Sequence, residues 1–260
     1  MKWVFVDGWT IVGRDLTHWA RQPWQFAVNL AFPIMVVLMF GYLFGGSMIV
    51  PGGGDYREFL LPGMFGLTMA FGVETTFTAM ATDAAKGVTD RFRSMPMAPS
   101  AVVIGRSGAD MLNSAVSLLL LMTCGAAMGW TWHNGPTAAL ASVGLLLLLR
   151  FALLWLGVYL GLALRSPEAV MALQILIWPI GFLSNVFVSP TGMPPWLRTA
   201  AEWNPLSATV AATRELFGNP GWGGDSWPAQ HATLMAILWP LALITVFFPL
   251  SVRRYQHLNH

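Results

Sequence analysis

Two charged side chains, Glu74 and Arg150, stand inside long apolar runs. A charge near the middle of a bilayer is costly unless it is paired or wetted. These two therefore have two readings: a structural ion pair between helices, or the polar lining of a transport path. Asp110, one turn past Arg106, reads as a salt bridge at the end of its own span. The remaining reactive groups do not assemble into a catalytic set. His18, His133, His231, His257 and His260 lie at the edges of apolar runs or near a terminus, form no His-x-x-x-His pair and read as solvated. Cys124 is the single cysteine, which excludes an intramolecular disulfide, and it reads as packing. The glycines of VPGGGDYREF (Val50–Phe59) are not followed by Lys-Ser or Lys-Thr, so they read as a loop and not as a phosphate cradle. A Gly-x-Ser-x-Gly elbow is also missing. The expectation is a chain that is not an enzyme on its own, with no catalytic, metal or cofactor-binding residue.

A second constellation is the charged island DAAKGVTDRFRSMPMAPS, Asp83–Ser100. Val88, Phe92 and Met95 are spaced four and three apart, on one helical face. Lys86, Asp90, Arg91 and Arg93 occupy the rest, and Pro96 stops the helix. A short amphipathic rod of this kind can seat its apolar stripe in a cleft of a soluble partner while the charges fix the register. By composition alone the same residues also read as a solvated basic loop.

The elements that would carry these groups follow from composition. The chain has 260 residues, 55% hydrophobic and 10% charged, whereas soluble domains carry about 25% charged residues. So few charges cannot cover a water-facing surface, and the class is an all-α, multi-pass membrane protein forming a single domain over 1–260. The net charge of +2 gives no reason to expect nucleic acid. A spanning helix needs about 20 mostly apolar residues, and six segments qualify: 24–46, 59–82, 109–129, 137–164, 169–188 and 232–252. Lys and Arg gather on one side of that arrangement: Lys2, Arg14, Arg21, Lys86, Arg91, Arg93, Arg106, Arg165, Arg253 and Arg254. Only Arg57, Arg198 and Arg214 fall in loops on the other. The positive-inside rule then places both termini and the island in the cytoplasm. Phe5, Trp9, Val12, Leu16 and Trp19 share one face, which predicts an interfacial helix within 1–22. Asp7, Arg14, Asp15 and Arg21 interrupt that stretch, so no cleavable leader is expected. The Trp-, Pro- and Gly-rich segment after the fifth span predicts short outer half-helices over 190–217, begun by Pro195 and Pro205.

Residues for a cargo path come from the first and fifth spans: Asn29, Met35, Met39, Phe40, Tyr42 and Phe44 from the first, and Gln174, Trp178, Phe182, Asn185 and Phe187 from the fifth. Met and aromatic side chains adapt to varied apolar ligands, although in a bilayer they also serve as packing or lipid-facing groups. Pro33 and Pro179 are candidate kinks. Gly41 with Gly45, and Gly157 with Gly161, are small-xxx-small pairs that permit close helix contacts.

Several of these stretches together resemble one family. FLSNVFVSPTGMPPWLRTAAEWNPLSATVAATREL (Phe182–Leu216) is similar to the signature region of ABC type-2 permeases, the membrane subunits of ABC exporters. DYREFLLPGMFG (Asp55–Gly66) resembles that family's entry to its second span, and KGVTDRFRSMPMAPSAVVIGRSGAD (Lys86–Asp110) resembles the daunorubicin-resistance permease subfamily, apart from Pro99, where that subfamily tends to have Arg. The resemblance covers nearly the whole chain. It implies two permease subunits, expected to be a homodimer, and two copies of a separate ABC ATPase subunit that binds ATP and Mg. It also implies that residues 86–96 form a coupling helix on that ATPase, that the half-helices cap the exit, and that the first, second and fifth spans line the path at the dimer seam. The implied function is export of a hydrophobic or amphipathic small molecule (a drug, antibiotic or lipid) across a bacterial plasma membrane. A polysaccharide or lipid-linked glycan cargo, and a non-transporting sensor or immunity subunit, remain as alternatives.

Overall fold

The structure is a computed structural model that describes residues 23–45, 50, 53–85, 99–164, 167–221 and 224–256. The predicted interfacial helix of 1–22 and the island of 86–96 lie outside the described residues.

Helix α1, Pro23–Leu38, continues into a π-helical segment, Met39–Phe44. Helix α2 spans Tyr56–Ala85. Its 30 residues make it about 45 Å long at 1.5 Å per residue. Asp55 starts it: the carboxylate accepts the Arg57 backbone N–H at 2.9 Å, the usual N-terminal capping chemistry. The Arg57 guanidinium bonds the same group and holds the Asp55 carboxyl below the ordinary carboxylate range. Helix α3, Pro99–Ala127, starts at a proline, a residue suited to a first helical position. It therefore begins well before the expected residue 109. Helix α4 covers Gly135–Ala163 and α5 covers Pro167–Phe182. A 3₁₀ turn, Pro190–Gly192, is followed by two short helices, α6 (Pro195–Glu202) and α7 (Pro205–Phe217), each with proline in its first turn as the sequence suggested. A four-residue α8, Trp227–Gln230, leads into α9, Ala232–Gln256.

Helices α2 and α4 form the centre. Helix α4 packs along α2 on one flank and α9 on the other, α7 crosses near all three, and α1, α3 and α5 lie against α2. Gly157 and Gly161 allow the central contact. A Cβ on Gly157 would stand 2.9 Å from the Val73 carbonyl oxygen, and one on Gly161 would stand 2.5 Å from Met80 Cβ. The backbones of α2 and α4 thus approach with no side chain between them. At the α7 end of the molecule, Phe65, Trp130 and Phe217 meet edge to face, and the buried Trp130 indole donates to Asn219 Oδ1 at 2.8 Å. That partner meets the need of a buried N–H.

Among the described residues, three helices are long and apolar enough to cross a membrane: Ser107–Ala127, Gly135–Ala163 and Ala232–Tyr255. Two shorter apolar stretches, Ala31–Leu43 and Ala169–Phe182, fall in α1 and α5. The clearest departure from the six expected spans is the fifth. Helix ends at Phe182, and residues 183–188 leave it as irregular backbone in place of the helix expected to 188. Tertiary bonds, not local propensity, decide that break, as described next.

Candidate functional site

Arg150 is fully buried in the middle of α4. Its guanidinium bridges two other helices. Nη2 lies 2.6 Å from Asp110 Oδ2 and donates to Thr76 Oγ1 at 2.8 Å, and Nε donates to Ser114 Oγ at 2.8 Å. Thr76 also donates to the same carboxylate oxygen. Space for the guanidinium comes from Gly72, where a Cβ would stand 2.4 Å from Arg150 Nε. The partner of Arg150 is therefore Asp110 of α3, and an Arg150–Glu74 ion pair is not formed. Asp110 does more than hold the end of its own span. Glu74 and Thr76 are two residues apart on α2, so when Thr76 faces Arg150 the side chain of Glu74 faces elsewhere.

Glu74 instead lines a cavity of about 320 Å³ between α1, α2, α3 and α5. Pro33 and Phe32 come from α1, Met64 to Thr75 from α2, Asn113, Ser114 and Ser117 from α3, and Trp178 from α5. Among the described residues no hydrogen bond or ion pair reaches Glu74. The volume falls within the usual range of about 300–1,000 Å³ for small-molecule sites. Ser114 and Gly72 line this cavity and also hold Arg150, so the buried ion pair stands directly behind its wall.

An aromatic series leads from the cavity along α1 and α5. Trp178 meets Phe32 at 5.2 Å, Phe71 at 4.7 Å and Phe182 at 6.0 Å between ring centroids. Phe182 continues to Phe187 at 5.2 Å, and Phe187 to Phe40 at 4.9 Å. The structure thus joins four of the predicted path residues, Phe40, Trp178, Phe182 and Phe187, in one series. Met35 on α1 and Met39 and Tyr42 on the π-helical segment are exposed, and the Arg57 guanidinium stands 5.7 Å over the Tyr42 ring. Gln174 is half-buried on α5. Asn29 lies within α1, while its side chain and that of Phe44 are outside the described residues.

Asn185 does not join this aromatic series. It is fully buried, its amide donates to the Ser207 carbonyl at 3.0 Å, and its carbonyl accepts from Arg214. It belongs to a lock at the break after α5. Arg214, read from sequence as an outer-loop cation, is fully buried within α7. Its guanidinium donates to three backbone carbonyls, those of Phe59 at 2.9 Å, Asn185 at 2.9 Å and Val186 at 3.0 Å, and stacks 3.7 Å over the Phe59 ring. Burial lowers its pKa to about 9, which leaves it charged at neutral pH. Asn204 adds bonds to the carbonyls of Ile180 and Leu183, 3.0 and 2.6 Å away. These donors satisfy the carbonyls freed when α5 unwinds, which is the condition for irregular backbone away from water. His133, read as solvated, has a partner in Glu58 at 3.1 Å.

The proposed coupling residues Lys86, Val88, Asp90, Arg91, Phe92, Arg93, Met95 and Pro96 lie outside the described residues. Among the described residues no group of three or more His, Cys, Asp or Glu side chains could hold a metal ion.

The profile of the ABC-2 type transporter family matches residues 7–217. The daunorubicin resistance ABC transporter permease of Streptomyces coeruleorubidus is 31% identical over 259 residues, covering 96% of this chain and 88% of that protein. The doxorubicin resistance ABC transporter permease of Mycobacterium tuberculosis is 29% identical over 169 residues, covering 64% of this chain and 57% of that one.

Proposed function

Since this chain belongs to the ABC-2 type transporter family, the membrane subunits of ABC transporters, we propose that it exports a hydrophobic or amphipathic small molecule by ATP hydrolysis in a separate ABC ATPase. The observation that carries this reading is the cavity among α1, α2, α3 and α5, which continues into the aromatic series of Trp178, Phe182, Phe187 and Phe40. Apolar, polarisable walls suit cargo of varied shape and little charge-specific bonding. The names of the two relatives, each a drug-resistance permease, support a drug or a comparable lipid-like molecule.

In this reading the chain crosses a bacterial plasma membrane six times with both termini in the cytoplasm. The three long apolar helices and two shorter ones supply five crossings, and α2, shielded at the centre, supplies the other. Two copies pair, and two ATPase subunits bind ATP and Mg and grip residues 86–96. Export by inside-out vesicles containing the chain and its ATPase tests the reading. ATP should drive a lipophilic fluorescent dye into the lumen. A second cargo class is favoured by one feature: Trp203, Trp227 and His231 stack in series with both tryptophans exposed, a surface suited to sugar rings. Transport of a lipid-linked glycan and not of the dye would favour that class.

A further inference from the structure

We propose that the cavity lined by Glu74 is a charge-selecting site for a cationic amphiphile. This deepens the exporter reading and rests on it. Glu74 offers only acceptors when ionised, and no cation among the described residues pairs with it; Arg150, behind the wall, pairs with Asp110 through Nη2 and keeps Nη1 buried without a hydrogen-bond partner. Two hydroxyls that line the same cavity have spent their protons on their own helix: Thr68 Oγ1 donates to the Met64 carbonyl and Thr75 Oγ1 to the Gly72 carbonyl, both at 2.8 Å. What they present to a ligand is lone pairs. Asn113, also lining the cavity, has a buried Oδ1 with no hydrogen-bond partner. Phe71, one turn before Glu74 on α2, and Trp178 of α5 add aromatic rings to the same cavity, their centroids 4.7 Å apart. Electron-rich ring faces attract cations and repel anions. Acceptors and aromatic rings side by side in one cavity fit a molecule with an ammonium or other cationic head on a planar or branched apolar body. An anion of the same size would meet a carboxylate and unshared lone pairs.

The test uses the full chain assembled with its ATPase in nanodiscs and two ions of matched shape and opposite charge, tritiated tetraphenylphosphonium and tetraphenylborate, with empty-nanodisc uptake subtracted. The wild-type complex should bind tetraphenylphosphonium saturably and tetraphenylborate only at background. Glu74→Gln should weaken tetraphenylphosphonium binding by at least about tenfold, because that ion carries no N–H donor and is attracted to Glu74 through charge alone. Its unfolding temperature should stay at the wild-type value, because no described contact is lost. Should that variant fail to assemble, Thr75→Lys, which places an ammonium beside the carboxylate, should abolish tetraphenylphosphonium binding. Unchanged cation binding in either variant, or equal binding of the two ions by the wild type, overturns the proposal. Saturable, Glu74-dependent binding with no effect on ATP hydrolysis or transport would support the site while contradicting the exporter reading. Cation-stimulated transport that survives Glu74→Gln would do the reverse.

Discussion

Arg150 reaches two neighbouring helices because α4 has no lipid-facing alternative at that position. The helix is enclosed by α2 and α9, and the guanidinium is fully buried. Removing one partner of such a pair leaves an uncompensated buried charge, which costs about 3–5 kcal/mol, whereas replacing both with apolar groups costs far less. Asp110→Ala should therefore lower the free energy of unfolding in mixed micelles by about 3 kcal/mol, and Asp110→Leu with Arg150→Met should restore most of it. Equal losses in the single and double variants would show that the contact contributes little. The sequence revealed the charge but not its partner. Arg150 stood out in an apolar run, and so did Glu74, but pairing is set by which helix faces meet. Asp110 is separated from Arg150 by an intervening turn and most of a helix, and its nearness to Arg106 in the chain suggested a local bond. Arg214 was hidden in a similar way. A cation between Trp- and Pro-rich segments looks like part of a loop until the carbonyls that it serves, from Phe59, Asn185 and Val186, are brought together in space.

At the scale of elements, the glycine pair on α4 is a direct readout of packing. A valine at Gly161 would collide with Met80 and the Phe77 carbonyl, while one at Gly144 would meet nothing within 4 Å. Overpacking of this kind costs about 1–3 kcal/mol. Gly161→Val should lower thermal stability in detergent and Gly144→Val should leave it unchanged; matched melting curves for the two would contradict the observed α2–α4 approach. Small-xxx-small spacing flagged Gly157 and Gly161 in advance. The same spacing at Gly41 and Gly45 falls in and just after the π-helical segment, with Gly41 near the Met128 and Arg57 side chains. Apolar run length located the helices well because burial in lipid or protein demands it. It placed the end of α5 too late, since residues 183–188 are as apolar as a helix but are held open by α7 through Ser207, Asn204 and Arg214. No periodicity in a single segment can report bonds supplied by another.

For the molecule as a whole, the described helices gather a cavity, an aromatic series and a buried ion pair around α2, the helix that in sequence immediately precedes the island at 86–96. A rod attached to that helix would carry a partner's movement to the cavity wall with few intervening joints. The claim beneath the whole account is that this movement originates in another protein's nucleotide cycle. Its most direct measurement is ATP-dependent dye uptake and ATP hydrolysis in proteoliposomes that contain the chain alone, the chain with its ABC ATPase, or the Arg91→Glu, Phe92→Ala chain with the same ATPase. Uptake and dye-stimulated hydrolysis should occur only when the unaltered chain and the ATPase are both present, and the altered chain should still insert while losing association with the ATPase. ATP hydrolysis by the purified chain alone, or full coupling and association in the altered one, would contradict the account.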